Sequence, residues 1–280
     1  MSLFICSLNS GSNGNCYYIG NQDEAVLVDG GISCRETEKR MKRLGLSIKK
    51  VKAIFVTHEH GDHIHGVPGL SKKHQIPVYI TDRTLQNSSA DIRAHLIFPF
   101  RAYQPIKIGG LTITGFPKFH DAADPHSFMV SNEHVNIGVF TDMGRCCDHL
   151  TRHFKQCHAA FLESNYDEEM LEFGRYPLAL KNRIRNGNGH LSNKQALELF
   201  LTHRPTFLSH LFLSHLSRDN NSPKLVRDLF QKQAGSTQII IASRDKESQL
   251  YYIRSTPGPM RKPIRSFNRN SVSQEQLSLF

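Results

Sequence analysis

The chain of 280 residues has no apolar run that approaches the roughly 20 residues a bilayer-spanning helix needs. It opens Met-Ser-Leu-Phe-Ile-Cys-Ser-Leu, with no positive charge ahead of a short apolar stretch, so the sequence predicts a first strand rather than a signal peptide. None of the six cysteines forms a C-x-x-C pair, and Cys146 and Cys147 are adjacent, which is a poor basis for a disulfide framework. A reducing cytoplasm is the expected compartment. Acidic residues are in deficit, 25 against 35 Lys and Arg, giving a net charge of +10 and a pI near 9.4. That excess favours a polyanionic partner. Without an amphipathic or lipid-anchored segment, nucleic acid is preferred over a membrane surface. No internal repeat is visible.

What is present is enough for a sizeable core: 31.8 kDa and 39% hydrophobic residues, in one large domain or two small ones. The most informative segment is Thr57-His-Glu-His-Gly-Asp-His-Ile-His-Gly66. Four metal-binding side chains, His58, His60, Asp62 and His63, follow the buried-strand pattern Val51–Val56. Imidazole and carboxylate suit zinc, manganese or iron. His58 and His60 fit one ion, while Asp62 and His63 point to a second. Two ions about 3.5–4 Å apart suit hydrolysis of a phosphoester. A strand followed by H-x-H-x-D-H is much narrower than a histidine-rich loop.

The rest of the chain alternates strands and helices. Cys16–Ile19 and Ala25–Val28 read as a hairpin around Gly20-Asn-Gln-Asp23. Ser33 to Glu36 has capping-box spacing, opening a helix that Gly45 ends. A helix is predicted from near Asp62 to His74, then a strand over Pro77–Ile80. Leu111–Phe116, Ser127–Val130 and Val135–Phe140 read as antiparallel strands, followed by a helix over 145–156 and the strand Ala159–Leu162. Helices are predicted near 166–173, 177–185 and 193–203, then the strand Phe207–Leu213 and a helix opened by Ser222-Pro223. Ile239–Ile241 and Leu250–Ile253 would close the sheet. Two half-sheets, each followed by helices, imply an α/β fold, a four-layer αββα sandwich. Residues 1–253 would form one catalytic domain. From Arg254 onward, five basic residues, three prolines and many Ser and Asn predict a disordered basic tail over 254–280.

The strand–loop signature resembles that of the metallo-β-lactamase superfamily, whose fold is this sandwich. Three further polar residues directly follow apolar runs: His120, Asp142 and His215, in the order and spacing of the superfamily's later motifs. The resemblance implies a centre of two divalent ions. His58, His60 and His120 would hold the first, Asp62, His63 and His215 the second, and Asp142 would bridge them. A water shared by both ions would be a hydroxide near neutral pH and the expected nucleophile. Asp29 would orient the histidine loop through hydrogen bonds. His210 is the competitor for His215, but it would lie inside the strand rather than after it.

Ser10–Asn15, His120–Pro125, Leu162–Asn165, Gly189–Asn193 and His215–Asn221 together look like the bacterial YycJ/WalJ branch of that superfamily, over about residues 2–253. The branch implies a 5′→3′ DNA exonuclease of repair or replication. In that setting the Gly/Ser/Asn loop, with Ser10, Ser12 and Asn15, is a candidate phosphate contact, with an ordinary turn as the alternative. His190 is a candidate proton donor or phosphate contact, alongside Asp62 in the catalytic set. Arg175, Lys181, Arg183 and Arg185 would track a DNA backbone or simply form a solvated helix face. The last residues, Gln276, Leu277, Ser278, Leu279 and Phe280, resemble the pentapeptide by which bacterial replication and repair proteins dock on the DNA sliding clamp. The tail would then act as a tether. Competing readings are an endoribonuclease or a small-molecule phosphodiesterase on the same fold, or a non-catalytic clamp-associated adaptor.

Overall fold

The computed structural model describes residues 2–255; the expectations for the tail and the clamp motif lie outside them. In chain order the strands are β1 (Leu3–Asn9), β2 (Cys16–Gly20), β3 (Ala25–Val28), β4 (Val51–Phe55), β5 (Val78–Ile80), β6 (Ile97–Pro99) and β7 (Ile106–Ile108). They continue with β8 (Leu111–Pro117), β9 (His126–Ser131), β10 (Asn136–Phe140), β11 (Ala159–Glu163), β12 (His210–Ser214), β13 (Gln238–Ile241) and β14 (Tyr251–Ile253). They form two seven-stranded sheets, ordered β14-β1-β2-β3-β4-β5-β6 and β13-β12-β11-β10-β9-β8-β7. In the first, β3 to β6 run parallel; in the second, β10 to β13 do. Two antiparallel steps, β8 to β9 and β9 to β10, bring β8 back to the direction of β10.

The helices are α1 (Cys34–Arg43), α2 (Gly61–Ile64), α3 (Val67–His74), α4 (Asp82–Gln86), α5 (Asp148–Phe154), α6 (Glu168–Phe173), α7 (Leu178–Arg185), α8 (Asn193–His203) and α9 (Pro223–Gln231). Three buried clusters define the layers. One lies between the sheets around Tyr17, Phe55, Phe128, Phe161 and Phe212. The others lie between each sheet and its own helices, around Val67 and Leu70 and around Phe154, Phe200 and Phe230. β3 shows the cause: Val26 and Val28 face the other sheet while Ala25 and Leu27 face the helices. A strand covered on both faces has no polar side, hence the unbroken apolar runs. The αββα sandwich is the observed architecture.

Several local expectations are corrected. The helix expected over Asp62–His74 is two, α2 and α3, broken at Gly66. A Cβ there would meet the Ile32 carbonyl oxygen at 1.9 Å, so tertiary packing rather than propensity sets the break. The Ser33 hydroxyl does accept from the Glu36 amide, but the Glu36 carboxylate turns to the Arg40 guanidinium at 2.9 Å instead of reaching back. The strand expected from Phe207 starts at His210, because residues 206–207 turn and leave Phe207 exposed. The short strands β6 and β7 are additional, one at the edge of each sheet. Among the described residues no helix is long and apolar enough to cross a membrane.

Candidate metal centre

Each expected ligand sits where the fold turns away from the carboxyl end of a strand. Asp29 follows β3, His58 to His63 follow β4, His120 follows β8, Asp142 follows β10 and His215 follows β12. Because these strands point the same way, their ends converge. The backbone is forced to do this: Asp29, Asp142 and His215 have φ of 61°, 52° and 55°. Left-handed backbone is costly for residues with a Cβ and persists only where surrounding contacts hold it.

The ligand atoms form two neighbouring groups. His60 Nδ1 lies 3.1 Å from His58 Nε2 and 3.3 Å from His120 Nε2. Asp62 Oδ2 lies 3.5 Å from His63 Nε2 and 3.3 Å from His215 Nε2. Asp142 stands between them, with Oδ2 2.7 Å from His63 Nε2 and Oδ1 3.9 Å from His120 Nε2. The Asp142 Oδ2–His63 contact is close but not aligned as donor to acceptor, so Oδ2 is buried without a hydrogen bond. With His58 the two residues form a group whose ligand atoms all lie within 4.8 Å of one another, a spacing that suits a cation.

The other ring nitrogen of most of these histidines is fixed by the protein. His63 Nδ1 donates to Asp29 Oδ2 at 2.7 Å. His58 Nδ1 meets the Thr57 hydroxyl at 2.9 Å, whose own proton goes to Asp29 Oδ2 at 3.0 Å. His120 Nδ1 donates to the Gly189 carbonyl at 3.0 Å, and His215 Nδ1 faces Glu163 Oε1 at 3.2 Å. This fixes each ring so that Nε2 faces the centre and becomes the ligand atom when a cation displaces its proton.

The electrostatics fit a cation. Burial pushes the His63 imidazole down, but Asp142, Asp29 and Asp62 outweigh it and hold it well above its usual value in the metal-free chain. His215 is likewise lifted to about 10, burial being overcome by Asp142, Asp62 and Glu163. Burial alone would raise Asp62 and Asp142, yet the neighbouring histidines hold both far below the usual carboxylate range. His58 and His120 go the other way, chiefly through burial, His120 to about 4. The anionic half thus retains protons that a dication must displace, so metal binding releases protons and weakens as the pH falls.

Two glycines make the approach possible. A Cβ on Gly31 would lie 1.7 Å from the Asp62 carbonyl oxygen, and the Gly66 amide donates to the Gly30 carbonyl at 2.7 Å. The Asp29-Gly-Gly31 turn is therefore pressed against the metal loop.

The structure also brings in residues not assigned a role from sequence. Glu163, fully buried at the end of β11, accepts from the Met143 and Leu191 amides at 2.6 and 3.1 Å. Its other oxygen lies 2.8 Å from His190 Nδ1 and 3.2 Å from His215 Nδ1. Burial would raise this carboxyl, but His190 and His215 hold it at about 2. The signal was available, since Glu163 also follows an apolar run. His190 is partly exposed beside the centre, its ring 5.4 Å from that of His120 and 5.2 Å from that of His215.

In the Gly/Ser/Asn loop two of the three candidate side chains have partners of their own. Asn15 is buried, with Oδ1 accepting from the Gly11 amide and Tyr17 hydroxyl and Nδ2 3.2 Å from Asp62 Oδ2. The Ser10 hydroxyl accepts from the His215 amide at 2.8 Å. These two side chains reach the ligand residues Asp62 and His215. Ser12 is exposed and meets Arg244 at 3.3 Å. Arg183 and Arg185 are paired with Asp121 and Glu172 at 2.5 and 2.6 Å, so their charge is partly neutralised. His210 opens β12, at the end away from the centre. A separate grouping, Cys34, Glu38 and His74, joins α1 to α3, but Lys73 already neutralises the Glu38 carboxylate at 2.7 Å.

Comparison with known proteins agrees with this architecture. The beta-lactamase superfamily domain matches residues 24–215. Exodeoxyribonuclease YycJ of Bacillus anthracis is 36% identical over 230 residues, 81% of this chain and 87% of that protein. Exodeoxyribonuclease WalJ of Streptococcus pneumoniae is 30% identical over 223 residues, 78% of this chain and 83% of that one. The metallo-beta-lactamase fold protein YhfI of Bacillus subtilis superposes with a TM-score of 0.69 at 16% identity, covering 90% of this chain and 99% of that chain, a likeness of fold alone. With strand-end histidines and carboxylates converging inside this sandwich and relatives of one branch matched over most of their length, the chain belongs to the beta-lactamase superfamily and is a YycJ/WalJ-like metal-dependent hydrolase.

Proposed function

We propose that this hydrolase is a DNA exonuclease working from the 5′ end, with two divalent ions at its centre, and that the DNA sliding clamp recruits it. The observation that carries the reading is Asp142, which stands within reach of both ligand groups and bears an unpartnered buried oxygen. The net charge of +10 and the likeness to two exodeoxyribonucleases support DNA as substrate. His58, His60 and His120 would hold one ion, Asp62, His63 and His215 the other, with Asp142 shared. Zinc, manganese and iron all suit this donor set. When bound, the ions supply Lewis-acid activation of water and neutralise charge on the phosphate.

The remaining chemistry belongs to the chain. Glu163 fixes His190 by its Nδ1, leaving Nε2 to carry a proton to the departing oxygen. Asp29 and Thr57 keep the histidine loop in register. The Leu277, Leu279 and Phe280 side chains would fill a hydrophobic pocket of the clamp, and the preceding residues would act as a tether.

The test uses DNA and RNA labelled at either end, with Mn²⁺ and with chelator. Mn²⁺-dependent release of 5′-terminal nucleotides from DNA, lost in His60→Ala, is expected. Cleavage of RNA but not DNA would replace the reading with a ribonuclease. If Asp142→Asn kept every activity, the non-catalytic adaptor would stand instead. Deleting residues 276–280 should abolish clamp pull-down and spare hydrolysis; unchanged clamp binding refutes the recruitment.

A further inference from the structure

The Arg145 guanidinium carbon lies over the Phe119 ring, 3.6 Å from its centroid, beside the metal centre. Both positions are fixed by chain neighbours of ligands: Phe119 precedes His120, and Arg145 is three residues beyond Asp142. The two loops are stitched together where the Gly144 amide donates to the Phe119 carbonyl at 2.6 Å. Gly144 is also pressed against the loop leading to His190, since a Cβ there would meet the Gly187 carbonyl oxygen at 2.4 Å and Asn188 Cα at 2.5 Å. The same contacts that register His120, Asp142 and His190 therefore register this stacked pair.

The pair is not needed to hold the fold together. Phe119 is 37% exposed and Arg145 is exposed, and neither belongs to the buried clusters. Among the described residues no salt bridge or side-chain hydrogen bond engages the Arg145 guanidinium, whereas Arg183 and Arg185 on α7 are each paired with a carboxylate. A planar cation stacked on an aromatic ring has one covered face, one open face and an edge of N–H donors. The open face matches a nucleobase and the edge matches a phosphate oxygen. A base can lie on that face only when it is unstacked from a duplex.

We propose that Arg145, backed by Phe119, is the stacking platform for the base next to the phosphodiester being cut, once that base has left its neighbours in the strand. The proposal rests on the nuclease reading above and adds a substrate-positioning contact to it. Base stacking on such a surface contributes affinity whatever the base, so the platform holds the substrate without reading its sequence.

The test compares wild type, Arg145→Ala, Arg145→Lys and Phe119→Leu, all loaded with Mn²⁺. Each is given single-stranded and blunt duplex DNA, plus single strands with one abasic nucleotide placed in turn at the first three positions. Metal content of each variant reports that the centre is intact. On single strands, Arg145→Ala and Arg145→Lys should each lose about 10- to 100-fold in kcat/KM, since lysine keeps the charge but not the plane. An abasic nucleotide at one position should lower the wild type by a similar factor and leave the Arg145 variants unchanged. Phe119→Leu should fall between them. Full activity of Arg145→Lys, or equal abasic penalties in wild type and variant, would overturn the platform and leave a phosphate contact only. Failure of the wild type to cut any DNA would overturn the nuclease reading instead.

Discussion

Replacing Asp29 by asparagine isolates what fixes the metal-facing nitrogen of His63. The Asp29 carboxylate is fully buried and accepts from the Thr57 amide at 2.8 Å, the Thr57 hydroxyl at 3.0 Å and His63 Nδ1 at 2.7 Å. An asparagine keeps one acceptor oxygen and gains two N–H donors. With that oxygen on the Thr57 amide, the new NH2 faces the Thr57 hydroxyl, which can rotate to accept, and His63 Nδ1. The imidazole must then accept at Nδ1 and carry its proton on Nε2, the atom that faces Asp62 and Asp142. Flipping the amide gives no relief, because it would set donor against the Thr57 N–H at a cost of about 1–3 kcal/mol. Disturbing such a supporting hydrogen bond weakens metal affinity about 10- to 100-fold, which is about 1.4–2.7 kcal/mol. Titration of metal-free protein against a competing chromogenic chelator measures this directly, with circular dichroism reporting that the variant is folded. A folded Asp29→Asn variant that takes up metal as tightly as wild type would refute the assignment.

Other outcomes follow from the same geometry. His190→Ala should lower kcat on DNA by about 10²- to 10⁴-fold while metal content stays at the wild-type level; a parallel loss of metal would make His190 a ligand. Glu163→Gln should weaken both functions, since the amide cannot accept from two backbone N–H groups and from His190 and His215 as well. A metal affinity reduced about 10-fold or more is expected by calorimetry. Gly31→Ala should destabilise the protein by about 1–3 kcal/mol in guanidinium melts and loosen metal binding, because its Cβ would press into the Asp62 carbonyl. His210 tests the pH dependence. Burial, partly offset by Gln238, pushes its imidazole down to about 4, below the unfolded value near 6.5. The unfolded chain therefore gains the proton first, and stability falls as pH drops from about 6.5 toward 4. His210→Gln should retain about 2 kcal/mol more of its neutral-pH stability at pH 4.5 than wild type does.

Much of the fold was legible because both sheets are covered on both faces, and buried strands write themselves as apolar runs such as Val51–Phe55 and Ala159–Glu163. The ligand positions were legible for a related reason: a histidine or aspartate just after such a run stands at the strand end that the fold gathers together. Residues whose roles come from tertiary contact were harder. β6 and β7 are three-residue strands at sheet edges, too short to show a period, and β6 ends on Pro99. The break before α3 arises from Gly66 touching Ile32 and Gly30, neither of which is near it in sequence. Ser10 and Asn15 carry the turn chemistry of a surface loop, yet distant partners, His215 and Asp62, bury them. Glu163 had the strand-end position, but its importance comes from the two histidines that it joins.

The strands that feed the centre also divide it. His58, His60, Asp62 and His63 hang from the first sheet, whereas His120, Asp142 and His215 hang from the second. Metal held among them would be a rivet through the seam of the sandwich, set at one edge of an otherwise apolar joint. Catalytic competence and the alignment of the two halves then become one property. A substitution deep between the sheets, such as at Phe161, would reach the chemistry by shearing the ligand groups apart without touching a ligand.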